Sequence, residues 1–288
     1  MDRNVTQGGL RRQGTRDDLW RAAIILLLCP HPKPAPPFGF TPLTSPRFFS
    51  AHSLPRPLSA GSSFDIGEAI SRHLQVLRVA IGDEITLFDG LGGEFSGTVS
   101  VFRKRDATVA LNAFHPIERE APMQVTLVQA LATSDKMDLI VQKAVELGVT
   151  TIAPISTSRA TLKLDGERAE KRVAHWQAIA VAACEQCGRN RVPVVQRLQA
   201  LDQWLLKQPE GISVLLHPLA EKSLLTRVDG STAIAVLIGP EGGFTDEEIS
   251  RALARGVLAA RFGPRILRTE TAGLAAITAL GARFGDLA

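Results

Sequence analysis

Residues 236–244 read VLIGPEGGF, residues 245–256 read TDEEISRALARG and residues 257–272 read VLAARFGPRILRTETA. The apolar run from Ala233 to Ile238 is uninterrupted, as expected of a strand covered on both faces, and it runs into a loop at Gly239-Pro240-Glu241-Gly242-Gly243. Thr245 stands three residues before Glu248, the spacing of a capping box, so a helix begins there and Gly256 ends it. A second short apolar run, Val257 to Phe262, leads into Gly263-Pro264-Arg265-Ile266-Leu267-Arg268, and Thr269-Glu270-Thr271 opens a last helix running to about Phe284. Successive strands joined by a helix are parallel, so the two glycine-bearing loops are expected to leave adjacent strands at one edge of one sheet.

Such loops have two readings. A glycine and a proline after a strand commonly make an ordinary turn. Bare backbone also lets main-chain N–H and C=O groups approach a ligand that needs hydrogen bonds rather than charge, such as an adenine or ribose edge. Familiar phosphate loops do not fit: a Walker loop ends in Gly-Lys-Ser/Thr where this one ends Gly-Gly-Phe, and no G-x-G-x-x-G follows the strand.

The stretches Leu237 to Phe244 and Phe262 to Ala272 together resemble the signature of the bacterial 16S rRNA (uracil-N3)-methyltransferases, of the SPOUT class. The resemblance extends through Pro46-Arg47-Phe48-Phe49, His73 to Arg78, Gln142 to Gly148 and Glu185 to Arg189, and so covers about Pro46 to Phe284. It implies an α/β fold: a small PUA-like RNA-binding β-barrel followed by an α/β domain tied in a trefoil knot around S-adenosylmethionine, acting as a homodimer on 16S rRNA or the small ribosomal subunit. Periodicity implies no knot, since threaded connections are normally excluded when topologies are inferred. The resemblance places the cofactor against three loops: Leu216, His217 and Pro218; Ile238, Gly239, Pro240, Glu241, Gly242 and Gly243; and Phe262, Gly263, Ile266, Leu267, Arg268, Thr271 and Ala272. It places Arg47, Arg78, Arg159, Gln186, Arg189 and Arg191 near RNA.

The 288 residues allow two domains, and 45% hydrophobic content is enough for ordinary buried cores. The formal charge of +4 is concentrated at the start: residues 1–45 hold six Lys/Arg and three Asp/Glu, leaving a net of +1 for the remainder, so any RNA argument rests on local clusters. Cys29, Cys184 and Cys187 make no disulfide framework and point to a reducing, cytoplasmic compartment. Cys184 and Cys187 form C-x-x-C, which fits a redox pair, half a zinc site or two small packing residues. The helical spacing of Val173, Trp176, Ala180, Ala183 and Cys187, with no second pair, favours packing, and no metal site is expected.

Residues 1–45 are unlike the rest. An eight-residue apolar run from Ala22 to Cys29 is too short to span a membrane, and five of the twelve residues from His31 to Pro42 are proline. Acids at Asp17 and Asp18 and the lack of a clean cleavage site argue against a secretory signal, so a disordered extension or a wrongly assigned start is expected. Residues 46–118 read as the barrel: helical spacing from Ile66 to Val79, then strands in EITLFDG, EFSGTVSVF and ATVALNAF joined at Asp89-Gly90 and at Arg103 to Asp106. Its basic residues, Lys104 among them, serve either phosphates or solvent. Residues 116–122 form a linker, and residues 122–288 form the α/β domain. There a strand from Val125 to Leu131, a helix capped by Asp135 with the stripe Met137, Ile140, Val141, Ala144 and Leu147, and a strand from Thr151 to Ile155 make a βαβ unit. A long helix, a strand at Val192 to Val195, and a strand from Ile212 to Leu216 ending at His217-Pro218 follow.

Methylation at N3 of uracil needs two reactants positioned and the imide proton removed. N3 lies on the pairing face, so the base must be unpaired or flipped. Arg268 and Glu270 are the candidates for orienting the uracil and assisting proton loss, the arginine by stabilising the developing anion. Two other readings stay open: another SPOUT activity on tRNA, against which the barrel and the RTETA string argue, and a non-catalytic RNA-binding protein on the same fold.

Overall fold

The computed structural model describes residues 45–59, 61–103, 105–228, 230 and 233–287. The readings of residues 1–44, Cys29 included, and of Lys104 lie outside these residues.

The amino-terminal part is a five-stranded sheet. In chain order its elements are β1 (Arg47–Phe49), β2 (Ser63–Ile66), α1 (Glu68–Val76), β3 (Glu84–Phe88), β4 (Glu94–Phe102) and β5 (Ala107–His115). The strands lie in the order β1-β3-β4-β5-β2, with β1 parallel to β3 and the other neighbours antiparallel. Alternate residues of β5, namely Ala107, Val109 and Leu111, turn inward to join Phe48, Leu74, Leu87, Phe95 and Val99 in one core. The barrel is open: among the described residues β1 and β2 are the ends of the ladder, and Leu74 of α1 closes the core between them. The helical reading from Ile66 onward is shortened, because Ile66 ends β2 and α1 begins at Glu68.

The α/β part contains β6 (Gln124–Ala130), α2 (Ser134–Glu146), β7 (Thr151–Ser156), α3 (Gly166–Cys187), β8 (Val194–Val195), β9 (Gln199–Ala200), α4 (Leu201–Leu206), β10 (Ile212–Leu216), α5 (Leu224–Arg227), β11 (Ala233–Ile238), α6 (Asp246–Ala254), β12 (Leu258–Ala260) and α7 (Thr269–Phe284). Its seven strands are parallel, in the order β12-β10-β11-β6-β7-β8 with β9 also on β7. Both faces are covered, which explains the uninterrupted apolar strands. Leu127 and Val236 enter a core with Ile140, Trp176 and Ile277, while their neighbours Val128 and Leu237 enter another with Ile155, Trp204 and Phe244. Cys184 is buried in the first core, and burial pushes its thiol up to about 12, so it stays protonated and packs as a small apolar group.

Two local expectations change. Thr133, not Asp135, is the N-cap residue of α2, and Asp135 stands in the first turn, where a carboxylate favours the helix dipole. The strands β11 and β12 are parallel but not adjacent, because β10 lies between them and pairs with both. The capping box of α6 is present: Glu248 N–H donates to Thr245 Oγ1 at 3.2 Å and Thr245 N–H donates to Glu248 Oε2 at 2.9 Å.

A buried ionic network joins the sheet of β1 to β5 to the end of α3. Gly188 caps α3 in the left-handed conformation, φ 89°, and turns the chain into Arg189 and Asn190, both buried. Arg47 pairs with Glu94 and donates to Asn190 Oδ1 at 2.7 Å. Arg119, from the predicted linker, donates to Glu94 Oε2 at 3.0 Å and to the Gly188 carbonyl at 2.9 Å. Arg189 pairs with Glu120 and donates to the carbonyls of Val145 and Val149 at 2.9 and 2.8 Å.

Candidate active site

The carboxyl ends of β10 and β11, and the chain that follows β12, meet at one edge of the parallel sheet, where ligands bind in open α/β folds. They enclose a cleft of about 550 Å³. Leu216, His217 and Pro218 come from the end of β10; Ile238 and the loop Gly239 to Phe244 come from β11; Phe262, Gly263 and the segment Arg265 to Thr269 come after β12, and Ala272 from the first turns of α7. The central strand thus supplies the middle wall, and the two glycine-bearing loops face each other across it. His217 is held there by its N–H, which donates to the Ala260 carbonyl at 2.8 Å.

The glycines of the first loop serve the loop's own packing. A Cβ on Gly242 would stand 3.1 Å from Arg159 Cβ, and one on Gly239 would stand 3.2 Å from the Phe244 ring. Gly243 has φ 68° and donates its N–H to the Pro240 carbonyl at 2.9 Å, which closes the turn. Arg159 then clamps the loop, donating to the carbonyls of Gly242 and Phe244 at 3.1 and 3.2 Å, and itself lines the cleft beside that loop.

A short polar chain ties the two loops behind the cleft. Gln129, fully buried on β6, donates to Thr269 Oγ1 at 2.9 Å, and Thr269 Oγ1 donates to the Gly239 carbonyl at 2.6 Å. Sequence reading missed this pair. Gln129 near the buried end of the strand QVTLVQA was the signal, because a buried amide needs partners.

Lys136, in the first turn of α2, was also missed. It lines the cleft and sits between two carboxylates, 3.1 Å from Glu241 Oε1 and 3.3 Å from Glu270 Oε2. The hydrogen bond to Glu241 holds its ammonium above the usual lysine range against the opposing effect of desolvation, and the nearby Glu270 adds a smaller push in the same upward direction. Glu241 also accepts the Thr133 N–H at 3.3 Å, so the lysine and α2 are tied to the first loop.

Of the residues assigned to the cleft from sequence, Glu270 and Thr271 do not line it; Glu270 turns to Lys136, and Thr271 is exposed on the next position of α7. Arg268 lines it as the N-cap residue of α7, with its side chain exposed and without an ion-pair partner among the described residues. Of the arginines expected at RNA, Arg159 is exposed at the cleft. Arg78, Gln186 and Arg191 are exposed away from its lining. Arg47 and Arg189 are buried, at 6% and 4% exposure, and paired with Glu94 and Glu120, so their guanidinium groups are engaged within the chain and they leave the RNA set. Among the described residues no cluster of His, Cys, Asp or Glu is placed to hold a metal ion, and no helix is long and apolar enough to cross a membrane.

Residues 119–281 match the family described as RNA methyltransferase domain, and residues 66–111 match the RNA methyltransferase PUA domain. The relative from Buchnera aphidicola of Schizaphis graminum, named ribosomal RNA small subunit methyltransferase E, is 31% identical over 214 residues, covering 74% of this chain and 87% of that one. The chain belongs to the ribosomal RNA small subunit methyltransferase E family. The family's structures agree with this fold. The Neisseria gonorrhoeae enzyme, solved bound to S-adenosylmethionine, aligns with a TM-score of 0.79 and 41% identity, covering 85% of this chain and all, 100%, of that one. A Legionella pneumophila methyltransferase solved with the same cofactor aligns with a TM-score of 0.79 and 35% identity, covering 84% and 99%. The open five-stranded sheet is thus the PUA-like part of the family, and the parallel sheet is its methyltransferase part.

Proposed function

We propose that the chain is a cytoplasmic S-adenosylmethionine-dependent methyltransferase that modifies N3 of a uridine in 16S rRNA. The observation that carries the reading is the cleft at the carboxyl ends of β10, β11 and β12, with bare main chain on two walls and Arg268 at its edge. The cofactor fits these walls. Its adenosine needs apolar faces and main-chain partners more than charge, and Leu216, Ile238, Gly239, Ile266, Leu267 and Ala272 offer them in about 550 Å³, within the usual range for ligand sites. When bound, S-adenosylmethionine supplies a methyl group on a positively charged sulfur.

The chain's own part is to orient the uracil and manage one proton. As N3 loses its proton, negative charge spreads over the imide; Arg268 and the positive end of the 16-residue helix α7, both at the cleft, would stabilise it. An arginine stays protonated throughout and so acts as an electrostatic partner, leaving the proton to solvent or to a carboxylate. Glu270 acts through Lys136: their pairing, together with Glu241, holds the first turn of α2 against the cofactor loop. The same reading carries the trefoil knot and a homodimer. Leu219 and Ile266, 87% and 82% exposed, are apolar groups that a second copy would cover, and light scattering at the mass of a single chain would rule the dimer out.

The deciding experiment incubates the purified protein with labelled S-adenosylmethionine and small subunits from a strain lacking the modification, then digests the RNA to nucleosides for mass spectrometry. 3-Methyluridine is expected. A different methylated nucleoside, or label in tRNA alone, would overturn the assignment, and an absence of cofactor binding by calorimetry would leave only the RNA-binding alternative.

A further inference from the structure

A second cleft, of about 430 Å³, lies between the PUA-like sheet and α3, and shares no lining residue with the first. Its walls are largely apolar and partly aromatic: Phe49, Phe64 and Ile70 from the sheet and α1, and Val181 from α3, with the imidazoles of His52 and His73 at its edge. One carboxylate, Glu185, reaches it from α3. Glu185 Oε1 accepts the Phe49 N–H at 2.9 Å, while His73 Nδ1 stands 4.0 Å from Oε2, beyond hydrogen-bond reach. The side chain is only 16% exposed. Among the described residues no N–H or O–H donates to Oε2, and a ligand that brings N–H donors would pair with it. Burial pushes the Glu185 carboxyl above its usual range even though the Phe49 N–H, His73 and Arg47 act to lower it.

We propose that this cleft binds one unpaired guanine base of the RNA substrate, its rings between the aromatic side chains and its Watson–Crick edge on Glu185. Three features select that ligand. Flat aromatic walls suit a splayed-out base, the usual object of sequence-specific RNA recognition. Among the four bases only guanine presents two adjacent N–H donors, N1–H and the 2-amino group, to a carboxylate, whereas the other three place an acceptor beside the donor on that edge. At the rim Asp65 and Glu68 are paired with Arg103 and Arg72, a mouth without surplus positive charge to hold phosphate, so the base rather than the backbone is the group the cleft takes. The proposal rests on the RNA-substrate reading and adds to it a second contact, in a cleft that shares no lining residue with the first, that would help to fix which uridine is presented.

The test uses the full chain and fluorescein-labelled hexauridine carrying a single central guanosine, inosine or adenosine, with binding followed by anisotropy. The guanosine oligomer is expected to bind about tenfold tighter than the adenosine one, with inosine between them because it lacks the 2-amino group. Glu185→Gln keeps a side-chain carbonyl for the Phe49 N–H and should erase the preference. Ala69→Trp, at an exposed residue of the cleft wall, should erase it by filling the space, with an unchanged melting transition and cofactor affinity. Equal affinity for all three oligomers overturns the proposal, as does a guanosine preference that survives Ala69→Trp. If the parent protein methylates small-subunit RNA yet shows no preference, the guanine site falls and the rRNA reading stands; a preference without methylation supports the site and sinks that reading.

Discussion

Two sets of arginines in this molecule are chemically the same and do opposite things. At the junction of the PUA-like sheet with α3, Arg47, Arg119 and Arg189 are enclosed, and each reaches a glutamate and at least one backbone carbonyl. At the cleft, Arg159, Arg265 and Arg268 are exposed, and none has a carboxylate within ion-pair distance among the described residues. The first set neutralises carboxylates that the fold has already buried, and so holds two parts of the chain in one arrangement. The second set leaves positive charge at the rim of a cavity, where only an incoming anionic group can neutralise it. What distinguishes structural from functional arginine here is the location of the counter-charge, and that is a property of the folded chain.

The largest expected effect tests the first set. Replacing Arg189 with methionine leaves Glu120 and the carbonyls of Val145 and Val149 without their donor, so unfolding should become easier by about 3 kcal/mol. Urea denaturation checks this, and a variant as stable as the parent would show that the enclosed Arg189 pairing does not stabilise the fold. Arg268→Ala should behave in the opposite way. It should lower the single-turnover methylation rate by about 100-fold, with cofactor affinity and urea midpoint little changed, because an exposed arginine acting on developing charge contributes to the transition state alone. A rate equal to the parent's would remove Arg268 from the catalytic assignment.

The sequence made the cleft legible because its information is local. The run from Ala233 to Ile238, the Thr245–Glu248 box and the RILRTETA string each specify their own structure within a few residues, and all three stand as read. What escaped was non-local. Nothing in the chain near Ile238 says that β10 separates β11 from β12, or that Gln129 and Lys136, more than a hundred residues earlier, reach Thr269 and Glu241. The short elements escaped for another reason. β2 buries only Ile66 fully, and β9 with α4 spans only Gln199 to Leu206, so their patterns are too short to stand out, although Leu201, Trp204 and Leu205 have helical spacing. Arg47 and Arg189, which the resemblance placed near RNA, are of the non-local kind: nothing beside them in the chain says that the tertiary fold brings Glu94 and Glu120 to them.

A third effect follows from the charge state of the junction. Burial pushes the Glu94 carboxyl up, but the hydrogen bonds and charges of Arg119 and Arg47 outweigh it and hold the group below its ordinary value. A carboxylate depressed on folding stabilises the native state at pH above its unfolded value, and that contribution disappears as pH falls through the folded value. Glu94→Gln should therefore be less stable than the parent at neutral pH, and the gap in urea midpoint should begin to narrow below the unfolded glutamate value of about 4.3 and close as the solution passes down through the lower folded value. A gap that stays constant with pH would mean that shape rather than charge makes the junction.

The smallest effect is the most discriminating, because Arg191 belongs to neither set cleanly. It follows the buried Arg189 and Asn190 in sequence, yet its side chain is 55% exposed and its partner Glu118, at 3.4 Å, is 40% exposed. A pair so open to water is worth at most about 1 kcal/mol, so Arg191→Ala should shift the urea midpoint by a small fraction of what Arg189→Met does. If its charge serves RNA, the loss appears elsewhere: one phosphate contact fewer lowers the slope of log binding constant against log salt by about 0.7 to 0.9. Titrating a labelled small-subunit RNA fragment at several salt concentrations separates the two roles. An unchanged slope with an unchanged midpoint makes Arg191 ordinary surface charge; an unchanged slope with a midpoint shift near that of Arg189 returns it to the junction; only the reduced slope makes it the point where the holding set of arginines gives way to the binding set.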